Sequence, residues 1–217
     1  MTAINKKKLT YSLWSIVYLA LTVVIVVSAT SIFNNYYYES VYVSGASMNP
    51  TFVGNGSKEK LGSDYGIIDK SSGAKHNVKR FQIVTTYYPG DNPEAASYKI
   101  KRVIAKPGDR FKIVHNALYL YHEGQKNDGW GKAVDMPFDR TLNYSDKNVL
   151  DTTLGSDQYF LAGDNWDNSY DSFNIGPVNY DLLVGVVVKM QGLCIVDNGR
   201  VVEKEPYAAR YFLGVDY

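Results

Sequence analysis

Apolar and polar positions fall into two regimes along this chain. Residues 11–33 form an uncharged, mostly apolar run, and Lys6-Lys7-Lys8 stand just before it. About 20 such residues cross the hydrocarbon core of a bilayer as a helix. Lysines left at one end hold that end in the cytoplasm. The pattern therefore predicts a cytoplasmic tail over residues 1–10, a single membrane anchor over 11–33 and an extracytoplasmic domain over 34–217. Trp14 near the inner end and Tyr36-Tyr37-Tyr38 at the outer end suit the interfacial belts where amphipathic rings prefer to sit. A removable signal peptide is the competing reading, because Val27 and Ala29 make a small-residue cleavage pattern. The apolar run is long for that, which favours a retained anchor in the lipid bilayer.

From about residue 41 the pattern changes to short apolar or β-branched runs broken by Gly, Asn, Asp and Pro clusters. That is how a β-rich domain reads, and long helical periodicity is absent. Strands are expected over residues 40–43, 82–87, 98–105, 110–115, 117–121, 158–162, 182–190 and 193–196. His115-Asn116 and Asp197-Asn198-Gly199 suit tight hairpin turns. Residues 54–75, rich in Gly, Ser and Lys, and residues 124–157, long and polar, read as surface loops, the second as an inserted loop or subdomain.

Composition narrows the function classes. With 23 basic and 22 acidic residues the net charge is +1, and no basic stripe interleaved with aromatics appears, so no nucleic-acid partner is expected. Cys194 is the single cysteine, which excludes an intrachain disulfide and a cysteine metal cluster. His76, His115 and His122 lack the i, i+4 spacing of a helical zinc pair. No metal and no cofactor are expected.

Candidate chemistry sits in three separated segments. In Ser44-Gly45-Ala46-Ser47-Met48-Asn49-Pro50-Thr51, Pro50 pushes Asn49 out of the helical region and Gly45 permits close backbone approach, so Ser47 is displayed on an irregular turn. Its amide is placed to act as an oxyanion donor. The plain alternative is an ordinary loop in which Met48 packs. In Tyr98-Lys99-Ile100-Lys101-Arg102-Val103-Ile104, strand alternation puts Lys101 on the face of Val103 and Arg102 on the opposite one. Burial of that face would disfavour the ammonium and let Lys101 accept a proton from Ser47, a poor nucleophile on its own. The alternative is a solvated face on which Lys99 and Lys101 merely repeat. Arg102 needs a carboxylate if buried. The third segment, residues 163–172, is dense in Asp, Asn and Ser, which build compact loops. A calcium loop starting at Asp167 fails, lacking glycine at its sixth position and glutamate at its twelfth.

Taken in order behind the anchor, these boxes resemble the type I signal peptidases, membrane-anchored Ser/Lys endopeptidases of bacteria, and among them the Gram-positive branch. The matching residues are Ser47-Met48-Asn49-Pro50-Thr51, Arg80-Phe81-Gln82-Ile83-Val84, Lys101-Arg102-Val103-Ile104 with Pro107-Gly108-Asp109, and Gly163-Asp164-Asn165. The resemblance implies a mainly β, antiparallel and barrel-like catalytic domain behind one transmembrane helix. It makes Ser47 the nucleophile and Lys101 the general base, with Ser169 orienting Lys101, Asp164 pairing with Arg102, and Asp171 bracing the loop. Gly45 stands where some members have a serine that assists the oxyanion hole, and Met48 is expected to touch substrate or membrane. Secretory preproteins, through their signal peptides, are the implied substrates.

The chain also departs from the family pattern. Trp166 and Phe173 stand where arginines are usual, Lys106 and Lys99 where apolar residues are, and an Asn198-Gly199-Arg200 … Glu205-Pro206-Tyr207 segment lies at the C-terminal end. Two other readings follow from these features. One is an enzyme dedicated to a few surface proteins such as pilins. The other is a non-catalytic signal-peptidase-like assembly factor, suggested by Trp166 and Phe173 and opposed by the retention of both Ser47 and Lys101. A soluble Ser/Lys autoprotease of the repressor type is disfavoured by the membrane anchor.

Overall fold

A computed structural model of the chain describes residues 3–54, 62–94, 97–123, 128–137 and 147–211. The chain divides into two units, one ending at Tyr38 and one starting at Glu39. The first is a single helix, α1 (Ala3–Tyr37), which takes in both the expected tail and the expected span. Its segment Leu13–Tyr37, with a mean hydropathy of 2.5 over its most apolar 18 residues and no buried residues, is long and apolar enough to cross a membrane.

The second unit is built from antiparallel strands. They are β1 (Tyr38–Tyr42), β2 (Ser63–Asp69), β3 (Ile83–Thr86), β4 (Lys99–Ala105), β5 (Arg110–Val114), β6 (Ala117–Leu120), β7 (Val149–Thr153), β8 (Gln158–Ala162), β9 (Val178–Asn179), β10 (Leu183–Asp197) and β11 (Arg200–Tyr211). Two short helices interrupt them, α2 (Ser72–His76) and α3 (Ser172–Ile175). The main sheet runs β1-β2-β10-β3-β4-β8-β9, and β11 also pairs with β10. Strand β10 carries this topology. It pairs with β2 through Val186–Cys194, with β3 through Leu183–Val186 and with β11 through Lys189–Asp197. A strand has only two edges, so β3 and β11 share one of them in succession and the sheet forks there. A smaller sheet, β6-β5-β7, stands beside it.

Several expectations need correction. Residues 54–75 do not form one loop. They include strand β2, whose first residues Ser63 and Asp64 are polar yet buried, and most of helix α2. Residues 124–157, where described, include β7, an edge of the small sheet. The strands expected at 182–190 and 193–196 are one strand with a register shift between Met190 and Gly192, a bulge that Gln191-Gly192 made look like a break. Strand β11 was not anticipated. It is polar and largely exposed, and its Pro206 suits an edge rather than an interior strand. Both expected hairpin turns form: His115 and Asn116 have φ of 47° and 63°, Asn198 and Gly199 of 49° and 75°. Successive left-handed residues suit the right-handed twist of the flanking strands.

Three apolar clusters fill the interior. One, with Ile104, Phe111, Ile113, Leu118, Phe160 and Trp166, cements the small sheet to the main one. A second surrounds Val103, Tyr159 and Leu161. The third packs Val43, Met48 and Phe52 against Ile68, Ile83, Val187 and Met190. The corner after β4 is held by an ion pair between the buried Arg80 and the half-buried Asp109, in which Arg80 donates to Asp109 Oδ2 at 2.9 Å and Oδ1 at 3.1 Å and to the Ile104 carbonyl at 3.1 Å. Removing one partner of such a pair strands a buried charge. Asp109→Ala should therefore lower unfolding stability by about 3 kcal/mol, read as a lower midpoint in chemical denaturation of the full chain in detergent. An unchanged midpoint would show that the Arg80 cation finds water or another acceptor.

Candidate active site

The site is assembled from three segments that meet at the end of β4. The first is the turn that follows β1. Its backbone is closed by Gly45 N–H donating to the Gly54 carbonyl at 2.7 Å and Phe52 N–H donating to the Met48 carbonyl at 2.9 Å. Gly45 has φ of 85°, a conformation that favours glycine. The Asn49-Pro50 peptide is cis. Met48, only 1% exposed, is a core residue of the Phe52 and Met190 cluster. Packed that way it also lines the cleft beside Ser47 and Lys101. Its burial anchors the turn and leaves the neighbouring Ser47 side chain directed to β4.

Strand β4 supplies the second segment. It lies between β3 and β8, with Lys101 opposite Val84 and Arg102 opposite both Ile83 and Ala162. Alternation sends two consecutive cations to opposite faces, and both are buried. The Lys101 amine donates to Ser47 Oγ at 2.9 Å and to Ser169 Oγ at 3.2 Å. Arg102 grips Asp164 with two parallel bonds, Nε to Oδ1 at 2.7 Å and Nη2 to Oδ2 at 2.6 Å, and donates from Nη1 to the Phe81 carbonyl at 2.8 Å. Thr51 Oγ1 donates to the same Asp164 at 2.5 Å, which ties the Ser47-bearing turn to the buried ion pair.

The third segment follows β8. Gly163 N–H donates to Asp171 Oδ2 at 2.8 Å, Ser169 Oγ donates to the same oxygen at 2.5 Å, and Asp171 Oδ1 accepts from Phe173 N–H at 3.1 Å to cap α3. Asp171 thus braces the loop without the arginine usual at position 173. Phe173 instead packs its ring on Trp166 and Phe160, with centroids 4.8 and 5.2 Å away. An aromatic cluster takes the place of charge there. The loop meets the first segment through Asn165 N–H donating to the Ser47 carbonyl at 2.9 Å.

Electrostatics follow from this packing. Burial pushes the Lys101 ammonium down to about 8. Asp171 and Asp164 oppose that shift and Lys99 adds to it. A buried amine that is partly neutral near pH 8, within hydrogen-bond range of a serine hydroxyl, can accept its proton. The Ser47 amide gives no hydrogen bond to any described residue, which leaves it open to an incoming oxygen. Beside the pair runs a cleft of about 590 Å³, lined by Val41, Val43, Thr85, Tyr98 and Ile100 together with Ser47 and Lys101. Strand β1 on one wall ends the order of the main sheet.

The expected site residues other than Gly45 and Met48 fall into two hydrogen-bonded groups, Ser47 with Lys101, Ser169 and Asp171, and Arg102 with Asp164, while Gly45 and Met48 shape the turn. Thr51 and Gly163 were not assigned roles from sequence. Thr51 was legible as part of its box, whereas the need for Gly163 appears only in three dimensions. A Cβ there would lie 2.3 Å from the Ser47 carbonyl oxygen and 2.4 Å from Ser169 Oγ.

Residues 14–190 match the family described as signal peptidase, peptidase S26. The chain is 31% identical over 157 residues to signal peptidase I V of Bacillus subtilis strain 168, covering 67% of this chain and 80% of that one. It is 28% identical over 192 residues to signal peptidase I T of the same strain, covering 83% and 85%. A crystal structure of a signal peptidase I from Enterococcus faecalis V583 is similar with a TM-score of 0.37 and 22% identity, over 51% of this chain and 96% of that one. These matches define the class as a serine endopeptidase, and the one apolar N-terminal helix fits membrane anchoring. The chain belongs to the signal peptidase I family, peptidase S26.

Gly163→Ala should displace the Ser47 turn or the Ser169 side chain, since neither close atom lies at the end of a long flexible side chain. Misplacement by about 1 Å costs roughly a hundredfold in rate. Peptidase turnover by the folded variant is expected to fall by that order, and wild-type turnover would mean that the loop shifts without disturbing the site.

Proposed function

We propose that the chain removes signal peptides from secretory preproteins at the outer face of the membrane by a Ser/Lys dyad. The observation that carries this reading is the 2.9 Å contact between Lys101 Nζ and Ser47 Oγ in a buried setting with no histidine beside it. An extended stretch of substrate lies in the cleft beside β1, where an edge strand offers backbone partners. Neutral Lys101 takes the Ser47 proton as Oγ attacks the scissile carbonyl. The Ser47 amide stabilises the oxyanion. The protonated lysine then gives its proton to the departing amine, and, neutral again, takes one from the water that hydrolyses the acyl-enzyme. Ser169 fixes the amine's direction, and Asp171 fixes Ser169. Asp164 and Arg102 hold the framework and take no part in proton transfer. The intact dyad disfavours a non-catalytic assembly role.

The anchor makes the geometry productive. With residues 1–10 in the cytoplasm, 11–33 in the bilayer and 34–217 outside, a preprotein held in the same membrane meets the site at high effective concentration. Protease added to intact protoplasts should then remove the outer domain, and its protection would overturn this orientation.

Catalysis has a definite pH sign. Lys101 must be neutral to act, and its folded-state value lies near 8. Below about pH 8 the rate rises about tenfold per pH unit, and above it the rate levels off. Ser47→Ala and Lys101→Arg should each lower the rate by about a thousandfold or more, because a guanidinium keeps its proton across this range. Cleavage of a model preprotein by purified enzyme, followed from pH 6 to 10, tests both. An active arginine variant with an unchanged profile would sink proton transfer at position 101.

A further inference from the structure

The family match ends at residue 190, while β10 and β11 continue to Tyr211. That extension touches the nucleophile-bearing turn. Arg210, on β11, donates from Nη1 to the Thr51 carbonyl at 3.2 Å and from Nη2 to Asp64 Oδ1 at 2.6 Å. Tyr207, three residues earlier, donates its hydroxyl to the same Asp64 oxygen and accepts from Arg210 Nη2 at 2.8 Å. Asp64 Oδ2 accepts from Val53 N–H at 2.7 Å, and the Asp64 backbone bonds both Val43 and Val53. The carboxylate is buried, and its ion-pair partner among the described residues is Arg210. The turn that carries Ser47 is therefore held at its far end by a cation and a phenol from the C-terminal strand. The guanidinium also lies over the Tyr207 ring, 4.9 Å from its centroid, which limits the directions it can take.

We propose that Arg210, steadied by Tyr207, is a positioning residue for Ser47, and that the C-terminal hairpin acts as a strap across the nucleophile turn with buried Asp64 as its anchor. Thr51 is the point of transfer. Its carbonyl is held by Arg210 and its hydroxyl by Asp164, so the turn is fixed between the strap on one side and the Arg102 ion pair on the other. Loss of the strap lets the turn drift away from Lys101 while leaving the Lys101 surroundings on β4 as they are. This inference rests on Ser47 being the nucleophile.

The test compares the full-length wild type in detergent with Arg210→Gln, with the paired variant Asp64→Asn/Arg210→Gln, and with Arg200→Ala, an arginine at the turn end of the same hairpin. The paired variant removes cation and carboxylate together, so no charge is left buried and alone. Turnover of a model preprotein, its pH profile and circular dichroism are measured for each. Both Arg210 variants are expected to lose about tenfold or more in kcat, with KM within about twofold and the pH midpoint unmoved. Arg200→Ala should match wild type. A paired variant with wild-type kcat overturns the strap, as does a loss seen only in KM, or one that tracks the unfolded fraction seen by circular dichroism. A wild type that fails to cleave, or a Ser47→Ala chain that cleaves, overturns the proposed function and this inference together.

Discussion

The catalytic half of this molecule depends on a buried amine that has hydroxyls, and not a carboxylate, as its hydrogen-bond partners. Lys101 is 5% exposed and, among the described residues, forms no ion pair. Burying a cation in this way is unfavourable, and the usual outcome is that the group loses its proton. The neighbouring residue shows the other solution. Arg102 is equally buried, and its planar guanidinium is met by the two oxygens of Asp164. One strand thus holds two cations under opposite rules. The alternation of β4 keeps them on separate faces, so the carboxylate that neutralises the arginine is not in hydrogen-bond contact with the lysine.

The placement of Asp171 follows the same logic. A carboxylate bonded directly to Lys101 would hold it charged, and a charged lysine is no base. Ser169 is interposed: its hydroxyl donates to Asp171 and accepts from Lys101, so the amine is oriented by a dipole rather than locked by a countercharge. Asp171 still favours the charged form through space, but burial outweighs it. Its other bonds, to Gly163 N–H and Phe173 N–H, fix its position in the loop. The residues that stand where arginines are usual, Trp166 and Phe173, replace electrostatic support of this loop with ring packing against Phe160.

Much of this could be read before any coordinates. Ser47, Lys101, Arg102, Asp164, Ser169 and Asp171 stand in boxes whose residue types declare their chemistry, and the strands around them carry plain alternation or apolar runs. What stayed hidden has a common cause. Ser63 and Asp64 are polar residues buried in β2, the Asp64 carboxylate held in part by Tyr207 and Arg210 more than a hundred residues away, and local pattern reads them as loop. The bulge at Gln191-Gly192 lets one strand bend past β3 and onto β11, and a bulge and a break look alike in one dimension. Strand β11 is held by its pairing to β10 and by Arg210 and Tyr207, not by an apolar face, so it has no hydrophobic signature to find. The need for a glycine at 163 comes from two atoms of other residues, one of them from a segment over a hundred positions earlier. Periodicity records which face is buried, and these features depend on what buries it.

The distribution of cross-links explains how loops can hold a reactive geometry. Ser47 and Ser169 both lie outside regular strands, where backbone freedom is greatest. Yet the Ser47 carbonyl is bonded by Asn165 N–H, the Ala46 carbonyl by the Asn165 side chain at 3.2 Å, and Thr51 by Asp164. Each bond joins the first loop to the third, and Arg102 ties that loop to β4 from beneath. The two loops therefore move as one body with the strand that carries Lys101, and the hydroxyl and amine keep their spacing because neither loop can shift without breaking bonds to the other. A contact between one short and one long flexible side chain needs such a frame to persist. The direction of the Lys101 amine is set by Ser169 and by the packing around the lysine stem.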